Sequence, residues 1–307
     1  MLIKEQNFGV EIELTGITRE QAAGVIAQYF GTTARYAGTV YKVWEAKDRK
    51  NRIWKAVRDA SIQTQRQSDG RKIPANDAYS CEIVTPILQY EDMEDLQEII
   101  RLLRVEGGFA NSSTGIHVHI DGVRHNSKSL QRLINFAVGR QDLFYEALQI
   151  GTRANRWCKK MSADLLNAMK NDQRKCKSST ERIWYSSAND NYSGGIDHQH
   201  YNSTRYHGVN LHAFFTKGTV EFRLFNGTTH AGKIKAYVQF CLAMSAWAIE
   251  TDSENLYFKS CAHYTQEQKA ALMNRVLVNR LGMKGKEFKT ARLHLTAAFI
   301  NNAEAVA

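Results

Sequence analysis

An α+β fold is predicted by two features of the chain. Strand-like runs and helix-like runs alternate irregularly, without the regular β-α-β rhythm of a doubly wound parallel sheet. Several short apolar runs also carry polar residues at every second position, the period of a strand with one polar face. The length of 307 residues is enough to bury a full core, and one large domain over 1–307 is expected. Hydrophobic residues at 43% and charged residues at 23% exclude a disordered chain.

The first predicted strand is Phe8-Gly9-Val10-Glu11-Ile12-Glu13-Leu14, which places Glu11 and Glu13 on one face and Val10, Ile12 and Leu14 on the other. Thr18-Arg19-Glu20-Gln21 has the form of a capping box and predicts a helix to about Tyr29. A second strand is expected near 39–44 and another over Arg52–Arg58, followed by a polar loop from Gln63 to Asn76. Cys81-Glu82-Ile83-Val84 is a strand interrupted by one acid and stopped at Pro86, and a helix is expected over 91–104. Gly115-Ile116-His117-Val118-His119-Ile120 puts two histidines on one strand face, and apolar residues at helical spacing occupy 127–150. Residues 154–204 read as an insertion, part helix and part Ser-, Asn- and Gly-rich loop. Val209–His212 and Thr219–Phe225 are expected to form a hairpin through Lys217-Gly218, with Glu221 and Arg223 on one face. The tail from about 250 to 307 reads as a helical extension.

The net charge of +10 is concentrated: residues 123–182 hold 13 Lys and Arg against 5 Asp and Glu, a local excess of +8. Such a segment suits an acidic or nucleic-acid partner, or else is a solvated helical face. Five widely spaced cysteines, without a Cys-x-x-Cys pair, fit a reduced, cytoplasmic protein, and no apolar run is long enough to span a membrane.

The polar strand faces supply the chemistry. Glu11, Glu13, Glu82 and Glu221 are hard oxygen ligands suited to magnesium; His117 adds an imidazole that also admits manganese. Arg223 suits a phosphoryl group held by paired hydrogen bonds. Each motif alone is equally a solvated strand face; the argument rests on four together.

Those four motifs, in this order, resemble the amidoligase family, itself similar to glutamine synthetase and γ-glutamylcysteine synthetase. Trp54–Ile62 resembles the family's Asp-Gly-Ser strand, with Ala60 in place of the usual Gly, and Arg205–Leu211 resembles its Arg and Asn-Leu strand. The resemblance covers about residues 7–240. It implies a glutamine synthetase-like domain, a mainly antiparallel sheet packed by helices with a metal site on one face. It implies a carboxylate–amine ligase that uses ATP and Mg2+ through an acyl phosphate. By position, Glu11, Glu13, Glu82, His117 and Glu221 would hold metal, and His119, Arg223, Arg205 and Asn210 would contact nucleotide or phosphate. Asp59 would orient or deprotonate the amine, or would simply shape a turn. The substrates implied are a Glu- or Asp-type or peptide carboxylate and an amine. A metal-dependent phosphotransferase or nuclease is the alternative reading.

Overall fold

The computed structural model describes residues 2–187, 195–252 and 260–304, without the side chains of 301–304. The chain forms two compact units, Asn7–Val118 with Phe225–Val238, and Met1–Gln6 with His119–Leu224 and Gln239–Ala307. No helix among the described residues is long and apolar enough to cross a membrane.

The first unit holds β1 (Phe8–Leu14), α1 (Arg19–Phe30), β2 (Arg35–Tyr36), β3 (Trp44–Lys47), β4 (Ile53–Val57), β5 (Gln65–Ser68), β6 (Arg71–Pro74), β7 (Cys81–Val84), α2 (Met93–Val105) and most of β8 (Gly115–Asp121). Its large sheet runs in the order β2-β3-β4-β7-β1-β8, and the pairs from β2 through β1 are antiparallel. Register explains why its two faces differ. Ile12 lies opposite Ile83, and Ile83 opposite Ala56, so one row is wholly apolar and buried. The next row sets Val57 against Glu82 and Glu82 against Glu13. A one-residue slip would bring the carboxylates into the core, so the pattern fixes the register strongly.

Helix α1 covers the apolar face through Ala22, Ala23, Ile26 and Phe30, and the Phe30 ring lies 5.9 Å from that of Trp54. It begins, as expected, in a capping box between Thr18 and Gln21 and ends at Gly31 in the left-handed conformation. Three expectations are corrected. The strand near 39–44 is instead β2 and β3 on either side of a loop. The loop from Gln63 to Asn76 contains a hairpin, β5–β6, turning at Asp69-Gly70, both with positive φ. In the second unit, β9 (Val209–Asn210) and β10 (Thr219–Asn226) pair antiparallel, but a short helix, α7 (His212–Lys217), joins them where a simple hairpin was expected.

The second unit also contains α3 (Ser127–Val138), α4 (Gln141–Ala147), α5 (Ala163–Asn171), α6 (Lys177–Ser187), α7 (His212–Lys217), the latter part of α8 (Ala231–Glu250), α9 (Gln266–Arg275) and α10 (Lys289–Glu304). Its core gathers Phe136, Phe144 and Phe240, with Phe144 and Phe240 edge to face at 5.2 Å. The expected insertion is helical at α5 and α6, whose Leu165, Met169, Trp184 and Tyr185 are buried. Much of the expected loop, 188–194, lies outside the described residues.

Candidate functional site

The first unit gathers Glu11, Glu13, Glu82 and His117. Glu13 and Glu82 are cross-strand partners on β1 and β7, an arrangement in which like charges repel. One ligand atom from each of Glu13, Glu82 and His117 lies within 4.8 Å of the other two. Glu13 is 5% exposed and His117 3%, so the donors sit where electrostatic interactions are weakly screened. The backbone N–H of Gly115 donates to Glu13 Oε2 at 2.7 Å and fixes that carboxylate. His117 Nδ1 lies 3.0 Å from Glu11 Oε2, and its Nε2 lies 3.7 Å from Glu13 Oε1. With the proton on Nδ1, the ring donates to Glu11 and turns the Nε2 lone pair toward Glu13. That is the arrangement by which an outer carboxylate orients a metal-binding imidazole.

Two carboxylates and an imidazole form a donor set that fits magnesium or manganese better than a soft metal, since no thiolate takes part. Asp59 stands in the loop after β4, where its Oδ1 accepts from the Ser61 N–H at 2.7 Å and its own N–H donates to Ser80 Oγ. It is therefore a turn-forming residue, whatever its second oxygen does.

The second unit gathers His119, Asn210, Glu221 and Arg223. Asn210 and Glu221 are opposite each other on β9 and β10, and Asn210 Nδ2 donates to Glu221 Oε2 at 2.6 Å. Asn210 Oδ1 accepts the His212 N–H at 2.8 Å, which ties the acid's partner to the start of α7. Arg223 Nη1 pairs with Glu221 Oε1, and its Nε donates to the Trp157 carbonyl at 3.3 Å. Both ends of that ion pair are buried, Glu221 at 2% exposed and Arg223 at 5%. His119 Nε2 is 3.9 Å from Glu221 Oε1. Its Nδ1 is 3.0 Å from the Thr219 hydroxyl, a partner that sequence reading missed although Thr219 precedes Glu221 by one strand period.

Arg205 is anchored by the His200 carbonyl at 2.7 Å, and it and Arg223 lie 5.6 and 5.9 Å from the Tyr206 ring. Arg205, Asn210, His212, Lys217 and Glu221 line a cavity of about 140 Å³. Burial, aided by the charges of Arg205 and His198, pushes the His212 imidazole down to about 4, so it is neutral near pH 7. Its Nδ1 meets the Tyr185 hydroxyl at 2.7 Å.

The strand faces of this α+β protein thus present carboxylates, imidazoles and a guanidinium. The chain belongs to a known family: the family described as "putative amidoligase enzyme" matches residues 4–245. What that family describes is an enzyme that joins a carboxylate and an amine in an amide bond. No curated protein matches the chain.

Proposed function

We propose that the protein is an ATP-dependent carboxylate–amine ligase. The observation that carries this reading is the Glu13–Glu82–His117 donor set, built on facing strands of a chain that belongs to the amidoligase family. A carboxylate oxygen of one substrate attacks the γ-phosphorus of ATP, the β–γ bridging bond breaks, and ADP departs. The amine then attacks the acyl carbon, the phosphate leaves with the original carboxylate oxygen, and the amine proton is lost to a base.

Glu13, Glu82 and His117 would hold magnesium, with manganese as the alternative. Such an ion would supply charge neutralisation at the phosphates. Glu11, which orients His117, and Glu221 are further carboxylates assigned to this role from the family pattern. Arg223 and His119 are the donors for the transferring phosphoryl group, where fixed charges act without reorganising. Arg205 and Asn210, which share a cavity wall, are assigned to nucleotide or phosphate. Asp59 keeps its Oδ2 as an acceptor for the amine proton. The basic residues around α5 and α6 favour an acidic carboxylate substrate, free, peptide-linked or carried on nucleic acid.

The test uses pooled amino acids labelled with 18O in their carboxylates, with ATP, Mg2+ and pooled amines. Label in the released phosphate supports the acyl phosphate route. ADP formation with unlabelled phosphate refutes it, and cleavage of a phosphodiester without ATP would move the assignment to a nuclease.

A further inference from the structure

A second cavity, of about 560 Å³, opens in the second unit. Arg140, between α3 and α4, lines it together with Arg275 at the end of α9 and Arg280 at the end of a five-residue π-helical turn, Val276–Arg280. Leu143, Leu272 and Val276 form an apolar wall. The volume is that of a site for a small organic ligand. Most of the wall lies beyond residue 245, where the family match ends, and none of the residues assigned above to the ligase reaction lines it.

Three guanidinium groups line one space, and among the described residues none of the three forms an ion pair with a carboxylate. The neighbouring acids are engaged elsewhere. Glu146 is bound by Lys269 at 2.8 Å and by Gln266, and Asp142 by Lys160 at 2.6 Å. Arg140 lies with its guanidinium 4.2 Å from the Phe136 ring centroid. Burial, and then the nearby charge of Arg280, push Arg140 down to about 10. π-turns are rare and recur at functional sites.

We propose that this cavity binds a small organic phosphate, its dianion held by Arg140, Arg275 and Arg280 and its apolar part resting on Leu143, Leu272 and Val276. Guanidinium forks match phosphate oxygens, and an apolar wall of this size has no use for a bare inorganic ion.

The probe is phenyl phosphate, titrated calorimetrically into the full chain, with phenol and inorganic phosphate in parallel. Saturable one-to-one binding is expected in the wild type and in Arg205→Ala, which separates this cavity from the phosphate-binding residues proposed above. The Arg275→Ala/Arg280→Ala double variant should bind roughly tenfold or more weakly, since two charge-assisted contacts are lost, and Lys at both positions should restore part of the affinity. Both arginines are exposed, so the melting temperature of the double variant should stay near that of the wild type. Arg280→Gln gives an independent reading if it does not. Unchanged affinity in the Arg275→Ala/Arg280→Ala double variant, loss of binding in Arg205→Ala, equal affinity for inorganic phosphate, or no binding by the wild type at about 10 mM would each overturn the proposal.

Discussion

Replacing Glu221 by Ala should destabilise the protein severely, and the structure supplies the magnitude. The carboxylate is 2% exposed and faces the guanidinium of Arg223, itself 5% exposed, as well as the Asn210 amide at 2.6 Å. Removing one partner of a buried ion pair costs about 3–5 kcal/mol, because the other charge stays desolvated. Leaving a buried amide donor unsatisfied adds about 1–3 kcal/mol. Arg223 keeps its bond to the Trp157 carbonyl, which offsets part of the loss, so about 4 kcal/mol is expected. That is a large share of a domain's usual stability of roughly 5–15 kcal/mol. Urea denaturation of Glu221→Ala, Arg223→Ala and the double variant measures it. The double variant should lose about 2 kcal/mol less than the sum of the single ones, since it buries no lone charge. Additive losses, or a cost under about 1 kcal/mol for Glu221→Ala, would show that the pair is not the buried unit described here.

Three further outcomes are expected. Glu13→Gln should change stability by less than about 1 kcal/mol, because an amide oxygen still accepts the Gly115 N–H, while turnover falls by at least about a hundredfold; equal losses of both would make Glu13 structural. Burial alone would raise the Asp92 carboxyl, but hydrogen bonds from Arg52, the Gln89 amide and Lys50 outweigh it and hold it down at about 2. A lowered carboxyl contributes stability that is complete above the unfolded value near 4 and is lost as pH falls toward 2, here about 2 kcal/mol; acid denaturation of Asp92→Asn should lack that component, and an unaltered acid limb would contradict it. Neutralising Arg174, Lys175 and Lys177 together should raise the KM for an acidic carboxylate substrate with little change in kcat, and an unchanged KM for every such substrate would sink the role given to that segment.

The candidate site residues were more legible in the sequence than the connections around them. Glu11, Glu13, Glu82, His117, His119, Glu221 and Arg223 all lie in or beside strands whose period-2 pattern separates polar from apolar residues, and that pattern is local. The β5–β6 hairpin was missed because Gln65–Ser68 and Arg71–Pro74 have no apolar face to betray a strand; the Asp69-Gly70 turn was the one available signal. Helix α7 has six residues, too few for helical periodicity, and its Gly218 cap resembles a hairpin turn. The Arg52–Asp92 bridge and the arginine-lined cavity join residues far apart in the chain, and no local pattern encodes such meetings.

The central claim is tested most directly by ADP release from ATP and Mg2+, with pooled carboxylates and amines supplied separately and together, in the wild type and in Glu13→Gln. ADP formation that needs both pools and disappears in Glu13→Gln is the predicted result. ADP formation that is indifferent to the amine, or undiminished in Glu13→Gln, would contradict a ligase built on the Glu13–Glu82–His117 site.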